Sequence, residues 1–82
     1  MNHIKVLFFA NLRDRAGTKM TELDVENGMT IQQLKSVLVQ QHPALGDLMQ
    51  HCLGAINYEY RFDESEIPEG AEIAFFPPVS GG

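Results

Sequence analysis

The sequence predicts an α+β fold, a two-layer roll in which strands flank one well-formed helix. Runs near both ends of the chain are apolar at both alternating positions and rich in β-branched and aromatic residues, which is typical of strands. Only one segment between them, starting near residue 30, repeats apolar residues at strong helical spacing. A single helix covers one face of a sheet, so this pattern indicates two layers.

The N-terminal part predicts two strands joined by a short helical turn. Residues 3–10 form the first strand, and residues 20–25 alternate as expected for the second. Between them, Asn11 is a possible helix N-cap and Gly17 a possible helix stop. Residues 26–28 carry a turn signal.

The central helix begins with a capping signature. Thr30 followed by Gln33 matches a capping box, in which each side chain satisfies a free backbone N–H. Lys35 is assigned to the solvent-facing side, and Pro43 ends the helix close to His42 because the residue before proline resists helical angles. The predicted apolar stripe consists of Ile31, Leu34, Val37 and Leu38.

The C-terminal half is less regular. Residues 44–54 predict a weak short helix with loop, and residues 55–62 a strand pair or one bent strand. A polar loop over 63–70 precedes the last strand, 71–76.

The two end strands leave one apolar face without a helix to cover it. Strand alternation assigns the core-facing parity to Val6, Phe8, Ile73 and Phe75. The opposite parity carries Leu7, Phe9, Ala74 and Phe76. An uncovered apolar face usually marks a partner site, although short helical segments are an alternative cover.

The composition of the chain argues for some classes of function and against others. The 82 residues suffice for one domain, and a net charge of −5 with only six Lys and Arg argues against nucleic-acid binding. The acidic surface either suits a basic partner groove or serves solubility alone. Cys52 is the only cysteine, which predicts a reducing, cytoplasmic setting without a disulfide, and no apolar run approaches a membrane span.

The sequence finishes with a tail of unusual composition. Pro77 and Pro78 lack donor N–H groups, so they stop the last strand and favour an extended path. Gly81 and Gly82 carry no Cβ and can enter a groove too narrow for a side chain. We therefore expect one domain, 1–82, with a flexible C-terminal tail, 77–82, made up of Pro77, Pro78, Val79, Ser80, Gly81 and Gly82.

The two ends carry a family resemblance. "KVLFFANLRDRAG" (5–17) and "AEIAFFPPVSGG" (71–82), with "AIN" (55–57), resemble the molybdopterin synthase small subunit, a ubiquitin-like sulfur carrier. The resemblance covers nearly the whole length and is weakest over 42–53. It implies a ubiquitin-like β-grasp roll, with a mixed sheet of four to five strands and one main helix on one face. It also places Tyr60 beside Phe9 and Phe76 on the partner-binding face.

The resemblance further implies a chemistry at Gly82. An ATP-dependent adenylating enzyme would convert its carboxylate to a glycyl adenylate, and a sulfur donor protein would make the thiocarboxylate (1-thioglycine). The tail would then enter the molybdopterin synthase large subunit, in a heterotetramer, and donate sulfur to a pyranopterin precursor, which builds the dithiolene of molybdopterin in molybdenum cofactor biosynthesis. The chain would thus be a non-catalytic carrier whose active site lies on the large subunit, with no cofactor or metal of its own.

Other interpretations remain open at this point. A thiamine-pathway sulfur carrier, a protein modifier conjugated through Gly82 and a plain interaction domain all fit parts of the pattern. Cys52 is more typical of a buried small hydrophobic residue than of a sulfur carrier, and His51 beside it lacks further ligands at metal-site spacing. His3 and His42 are assigned to the surface.

Overall fold

The computed structural model describes residues 1–78. The predicted tail residues Val79, Ser80, Gly81 and Gly82 lie outside the described residues. The described elements follow in chain order: β1 Asn2–Phe8, α1 Asn11–Ala16, β2 Met20–Val25, α2 Ile31–Gln41, a 3₁₀ turn Pro43–Leu45, α3 Gly46–Gln50, β3 Leu53–Ile56, β4 Glu59–Arg61 and β5 Glu72–Phe76.

The strands form one mixed five-stranded sheet in the order β2-β1-β5-β3-β4. The two end strands, β1 and β5, lie parallel at its centre, and the remaining pairs are antiparallel. The segment predicted as a strand pair or a bent strand is the pair β3 and β4. Asn57 and Tyr58 connect them, both at positive φ.

The core lies between the sheet and α2, with the predicted parity. Val6, Phe8, Ile73 and Phe75 are all buried, and Phe8 pairs with Phe75 in register. From α2, Ile31, Leu34 and Leu38 are buried as predicted, while Val37 is half-buried. The helix and sheet approach so closely that a Cβ at Gly54 would lie 3.2 Å from Ile31 Cγ2.

The start of α2 is capped from two directions. The predicted capping box is present: Thr30 Oγ1 accepts from the Gln33 N–H at 3.2 Å, and Gln33 Oε1 accepts from the Thr30 N–H at 2.9 Å. The next two free N–H groups donate to the loop after β4, Ile31 to the Ser65 carbonyl and Gln32 to the Asp63 carbonyl. This loop is therefore fixed to the helix N-terminus.

The assignment of Lys35 to the solvent-facing side of α2 is wrong. Lys35 is only 7% exposed; its Nζ donates to the Cys52 carbonyl at 2.8 Å and lies 3.0 Å from Asp63 Oδ1. The aliphatic stem of a lysine can cover apolar surface while its ammonium finds acceptors, and helical periodicity does not register this.

Two further expectations, the N-cap role of Asn11 and the surface position of His42, are corrected. Asn11 is the first residue of α1 and not its N-cap, because β1 ends at Phe8 and the chain turns at Ala10, with φ 54°. Gly17 ends α1 in the left-handed conformation, as predicted. His42 is half-buried and not on the surface, since its ring packs edge-on against Phe8 at 6.1 Å.

The short helices do not cover the second face of the sheet. Leu12 of α1, Leu45 of the 3₁₀ turn and Met49 of α3 are buried in the same core cluster as α2. They therefore extend the helical layer, and the opposite face of the sheet, called the open face below, stays uncovered within residues 1–78.

Candidate functional site

Three aromatic rings meet on the open face at the end where β5 leads into the prolines. Phe9 and Phe76 stack with ring centroids 4.7 Å apart and ring planes 14° apart. The Tyr60 ring meets Phe76 edge-on at 6.0 Å and 62°. These residues are the three predicted partner-binding positions, and the structure brings all of them together; they are called the aromatic cluster below.

The strand register explains how the cluster forms. Phe9 follows the end of β1, and its N–H donates to the Phe75 carbonyl, which sets Phe9 beside Phe76. Tyr60 of β4 pairs with Ala55 of β3, the strand between β4 and β5. Because Ala55 carries only a methyl group, the Tyr60 ring reaches across β3 to Phe76.

The aromatic cluster is solvent-accessible, in contrast to the neighbouring core rings. Phe9 is 42% and Tyr60 68% exposed, whereas Phe8 and Phe75 are buried. Stacked and edge-on aromatic pairs of this kind have the geometry common in protein cores and interfaces. The arrangement can bury these rings against another protein without rearranging the sheet.

Two apolar residues extend this surface and were missed from the sequence. Leu53 pairs with Phe76 in register and is 48% exposed, and Phe62 follows β4 and is 83% exposed. Leu53 lies in the segment assigned to helix and loop, and Phe62 ends an uncertain strand. The signal that could have found them is the spacing of two residues between Leu53 and Ala55 and between Tyr60 and Phe62, which places the members of each pair on the same face of a strand.

The far end of the open face is charged. His3 Nδ1 lies 2.7 Å from Asp24 Oδ1 and its Nε2 lies 2.9 Å from Glu22 Oε1. Hydrogen bonds to Glu22 and then Asp24 raise the pKa of His3 above its usual value. Lys5 pairs in register with Glu22 on one side and Glu72 on the other. The open face is thus apolar near the tail and charged away from it.

Pro77 and Pro78 were predicted to stop the last strand, and the described residues agree with this. The last strand ends at Phe76, and Pro77 and Pro78 lie outside any strand. The tail therefore begins next to the aromatic cluster. The roles assigned to Val79, Ser80, Gly81 and Gly82 fall outside the described residues and stay predictions.

Cys52 is buried, as predicted for a small hydrophobic residue. Its Sγ–H donates to the Leu48 carbonyl at 3.1 Å, and burial raises the pKa of the thiol, with Lys35 acting in the opposite direction. A buried thiol of raised pKa is a poor nucleophile. Within residues 1–78, no group of three His, Cys, Asp or Glu side chains is placed to hold a metal ion.

A groove lies on the helical side, away from the aromatic cluster. Its volume is about 670 Å³, and α2 and α3 line it together with Asp63. Lys35, the ammonium in this groove, is already bonded to Cys52 and Asp63. No helix in the described part of the chain is both long and apolar enough to cross a membrane.

The sequence profile of the ThiS family matches residues 6–82. The chain belongs to the ThiS family. The molybdopterin synthase sulfur carrier subunit of Chlamydomonas reinhardtii is 37% identical to it over 96% of this chain and 98% of that protein. Small archaeal modifier protein 1 of Haloferax volcanii is 35% identical over 90% of this chain and 94% of that protein. The resemblance to the molybdopterin synthase small subunit is confirmed.

Solved structures of related proteins confirm the predicted ubiquitin-like β-grasp fold. The crystal structure of the Haloferax volcanii modifier superposes with a TM-score of 0.83 at 31% identity, covering 96% of this chain and all of that one. A complex of subunits 1 and 2 of the molybdopterin-converting factor from Helicobacter pylori contains a chain with a TM-score of 0.67 at 20% identity, covering 98% of this chain and 99% of that one. At this level of identity, the second similarity shows that the two chains share a fold and nothing more.

Proposed function

We propose that this chain is the sulfur carrier subunit of a molybdopterin synthase, with the sulfur held as a thiocarboxylate on Gly82. The observation that carries the proposal is the match, over nearly the full length of both proteins, to the Chlamydomonas reinhardtii sulfur carrier subunit. The position of the aromatic cluster beside the tail supports it, because a protein that holds the tail would contact these rings.

The proposed chemistry starts from an unreactive carboxylate. One oxygen of the Gly82 carboxylate attacks the α-phosphorus of ATP on an adenylating enzyme, and pyrophosphate leaves. Hydrosulfide delivered by a sulfur donor protein then attacks the carbonyl carbon of the adenylate, a carbon–sulfur bond forms, and AMP leaves. The sulfur of the resulting thiocarboxylate attacks a carbon of the pyranopterin precursor and displaces an oxygen-bound leaving group there. Water then hydrolyses the thioester, which leaves the sulfur on the precursor and restores the Gly82 carboxylate, so two carriers supply the two sulfurs of each dithiolene.

The proposed partner in the last step is the large subunit of the synthase. In the Helicobacter pylori protein, subunits 1 and 2 of the molybdopterin-converting factor form a complex. By analogy, the aromatic cluster binds the large subunit while the tail enters its active site, which supplies the acid–base and substrate-binding residues. This chain then acts as the carrier, in the cytoplasm, and the enzyme is the assembly.

A second candidate function is protein modification through an isopeptide bond from Gly82 to a lysine. The observation that favours it is the similarity to small archaeal modifier protein 1, in sequence and in fold. Both functions begin with activation of the same carboxylate, and they differ in whether sulfur or a lysine amine attacks it.

Deletion of Gly82 tests the proposal in a synthase reconstituted from purified large subunit, adenylating enzyme and sulfur donor. The deletion displaces the terminal carboxylate by one residue, about 3.3–3.6 Å, so sulfur transfer should be abolished. Thermal unfolding should be unchanged, because the core cluster found within residues 1–78 lies before Pro77. Wild-type turnover by the shortened chain would overturn the carrier function.

A further inference from the structure

A small recess lies beside the aromatic cluster, at the edge of the sheet formed by β4. Its volume is about 220 Å³, and Leu53, Gly54, Tyr60, Arg61 and Phe62 line it. Leu53, Tyr60 and Phe62 are its apolar side chains, all of them exposed, and Phe62 is the most exposed, at 83%. We call it the edge recess.

The register of the sheet places Leu53 and Phe62 on opposite sides of the edge recess. β3 and β4 are antiparallel, with Ala55 opposite Tyr60 and Gly54 opposite Arg61. The next position along this register sets Leu53 against Phe62. The recess is therefore a direct consequence of the strand pairing, and Tyr60 belongs both to it and to the aromatic cluster.

The backbone of Phe62 is held from both sides. On one side, Arg61 belongs to the β3–β4 pairing. On the other, the Asp63 carbonyl accepts from the Gln32 N–H at 2.9 Å and the Asp63 carboxylate pairs with Lys35. A ring presented to solvent on a fixed backbone loses less entropy when a partner covers it than one on a mobile loop.

The position of the tail identifies what covers the edge recess. Leu53 pairs with Phe76, and Pro77 and Pro78 follow directly. The four residues after Pro78 span at most about 14 Å even when fully extended. A protein that holds Gly82 in its active site therefore has its surface against this end of the sheet.

We propose that the edge recess is a second anchoring site for the synthase large subunit, which inserts an aliphatic or aromatic side chain between Leu53 and Phe62. The inference rests on the proposed function and adds a contact outside the aromatic cluster. Arg61, which pairs with Glu59 at 2.7 Å, supplies a polar rim to the recess. An apolar pocket with a polar rim is the usual form of an interface anchor.

Binding of the purified large subunit to full-length variants, measured by titration calorimetry, tests the recess. Phe62→Ser removes the exposed ring, and it should weaken binding about tenfold or more. Tyr58→Ser is the matched control, because Tyr58 is an equally exposed aromatic, 89%, on the same hairpin and outside the recess. It should change the dissociation constant by less than about twofold.

The outcomes separate the recess from the carrier function. If the wild-type chain binds the large subunit, but Phe62→Ser and Tyr58→Ser change the dissociation constant equally, the proposal for the edge recess is overturned and the carrier function is not. A Phe62→Ser chain with a strongly lowered melting temperature would also overturn it, since the ring would then belong to the core. The proposal for the edge recess is also overturned if Phe62→Ser abolishes self-association of the free chain and leaves binding to the large subunit unchanged. A wild-type chain that fails to bind the large subunit would overturn the proposed function itself.

Discussion

Phe9 and Phe76 stack on the open face, one residue beyond Phe8 and Phe75, which pair with each other in the core. The parallel pairing of β1 and β5 thus produces two adjacent aromatic pairs with opposite surroundings. One pair stabilises the domain, and the other is available to a partner. Substitutions in the two pairs should therefore have opposite signatures.

Truncation of the pair on the open face should weaken association and spare the fold. Phe9→Ala and Phe76→Ala should each lower affinity for the large subunit by about 30-fold, or ~2 kcal/mol, as expected of central aromatic anchors. Phe8→Ala should instead cost about 3–5 kcal/mol of unfolding free energy, because it leaves a cavity in the core. Calorimetric binding and thermal unfolding of the three variants measure both quantities.

The reverse pattern would place the interface elsewhere. If Phe9→Ala and Phe76→Ala unfold the domain while Phe8→Ala merely weakens binding, the assignment of the two faces is inverted.

The partly buried ion pair between Lys35 and Asp63 should be coupled energetically. Asp63→Ala leaves the ammonium of Lys35 with the Cys52 carbonyl as its remaining acceptor, and we expect a loss of about 1–3 kcal/mol of unfolding free energy. Lys35→Met removes the charge and keeps an apolar stem. Denaturant unfolding should show that the double variant costs less than the sum of the single ones, by about 1 kcal/mol. Strict additivity would mean that the two side chains act independently.

The contacts of His3 predict a pH-dependent stability. Both ring nitrogens face carboxylates, Asp24 and Glu22, and only the imidazolium has an N–H for each. Lys5 lies opposite Glu22 in the strand register, and it is the cationic side chain next to this cluster. The pKa of His3 is raised, so its stabilising contribution is fully present below the unfolded value, ~6.5. The contribution is lost as the pH rises through the folded pKa.

Melting temperatures of wild type and His3→Gln between about pH 5 and pH 8 measure this effect. The advantage of the wild type should shrink with rising pH. The control is His51→Gln, which removes another exposed imidazole. A difference that is constant or grows with pH contradicts the assignment.

Strand parity and helix capping could be predicted because both depend on neighbouring residues. The alternation in β1 and β5 located the core rings, and Thr30 with Gln33 located the start of α2. Lys35 could not be placed, since its acceptors come from Cys52 and Asp63, which lie 17 and 28 residues away. Phe62 was missed for a similar reason. Its place on the open face depends on the pairing of β4 with β3, which the local pattern did not resolve.

The glycine requirement in the tail predicts a specific defect for Gly81→Val. A branched side chain cannot follow a path that admits only glycine, so adenylation or insertion of the tail should be blocked. The melting temperature should match that of the wild type. Val79→Ala, which also changes the tail but introduces no larger side chain, is the control. Normal adenylation and sulfur transfer by Gly81→Val would refute the narrow-groove argument.

The intact mass of the protein isolated from its native host shows whether Gly82 carries sulfur. A fraction of the chains should be heavier by the difference between sulfur and oxygen, with the change located at Gly82 by fragmentation. Treatment that hydrolyses thiocarboxylates should return these chains to the unmodified mass. High-mass conjugates that an isopeptidase removes, without any sulfur-containing terminus, would contradict the carrier function and favour the modifier.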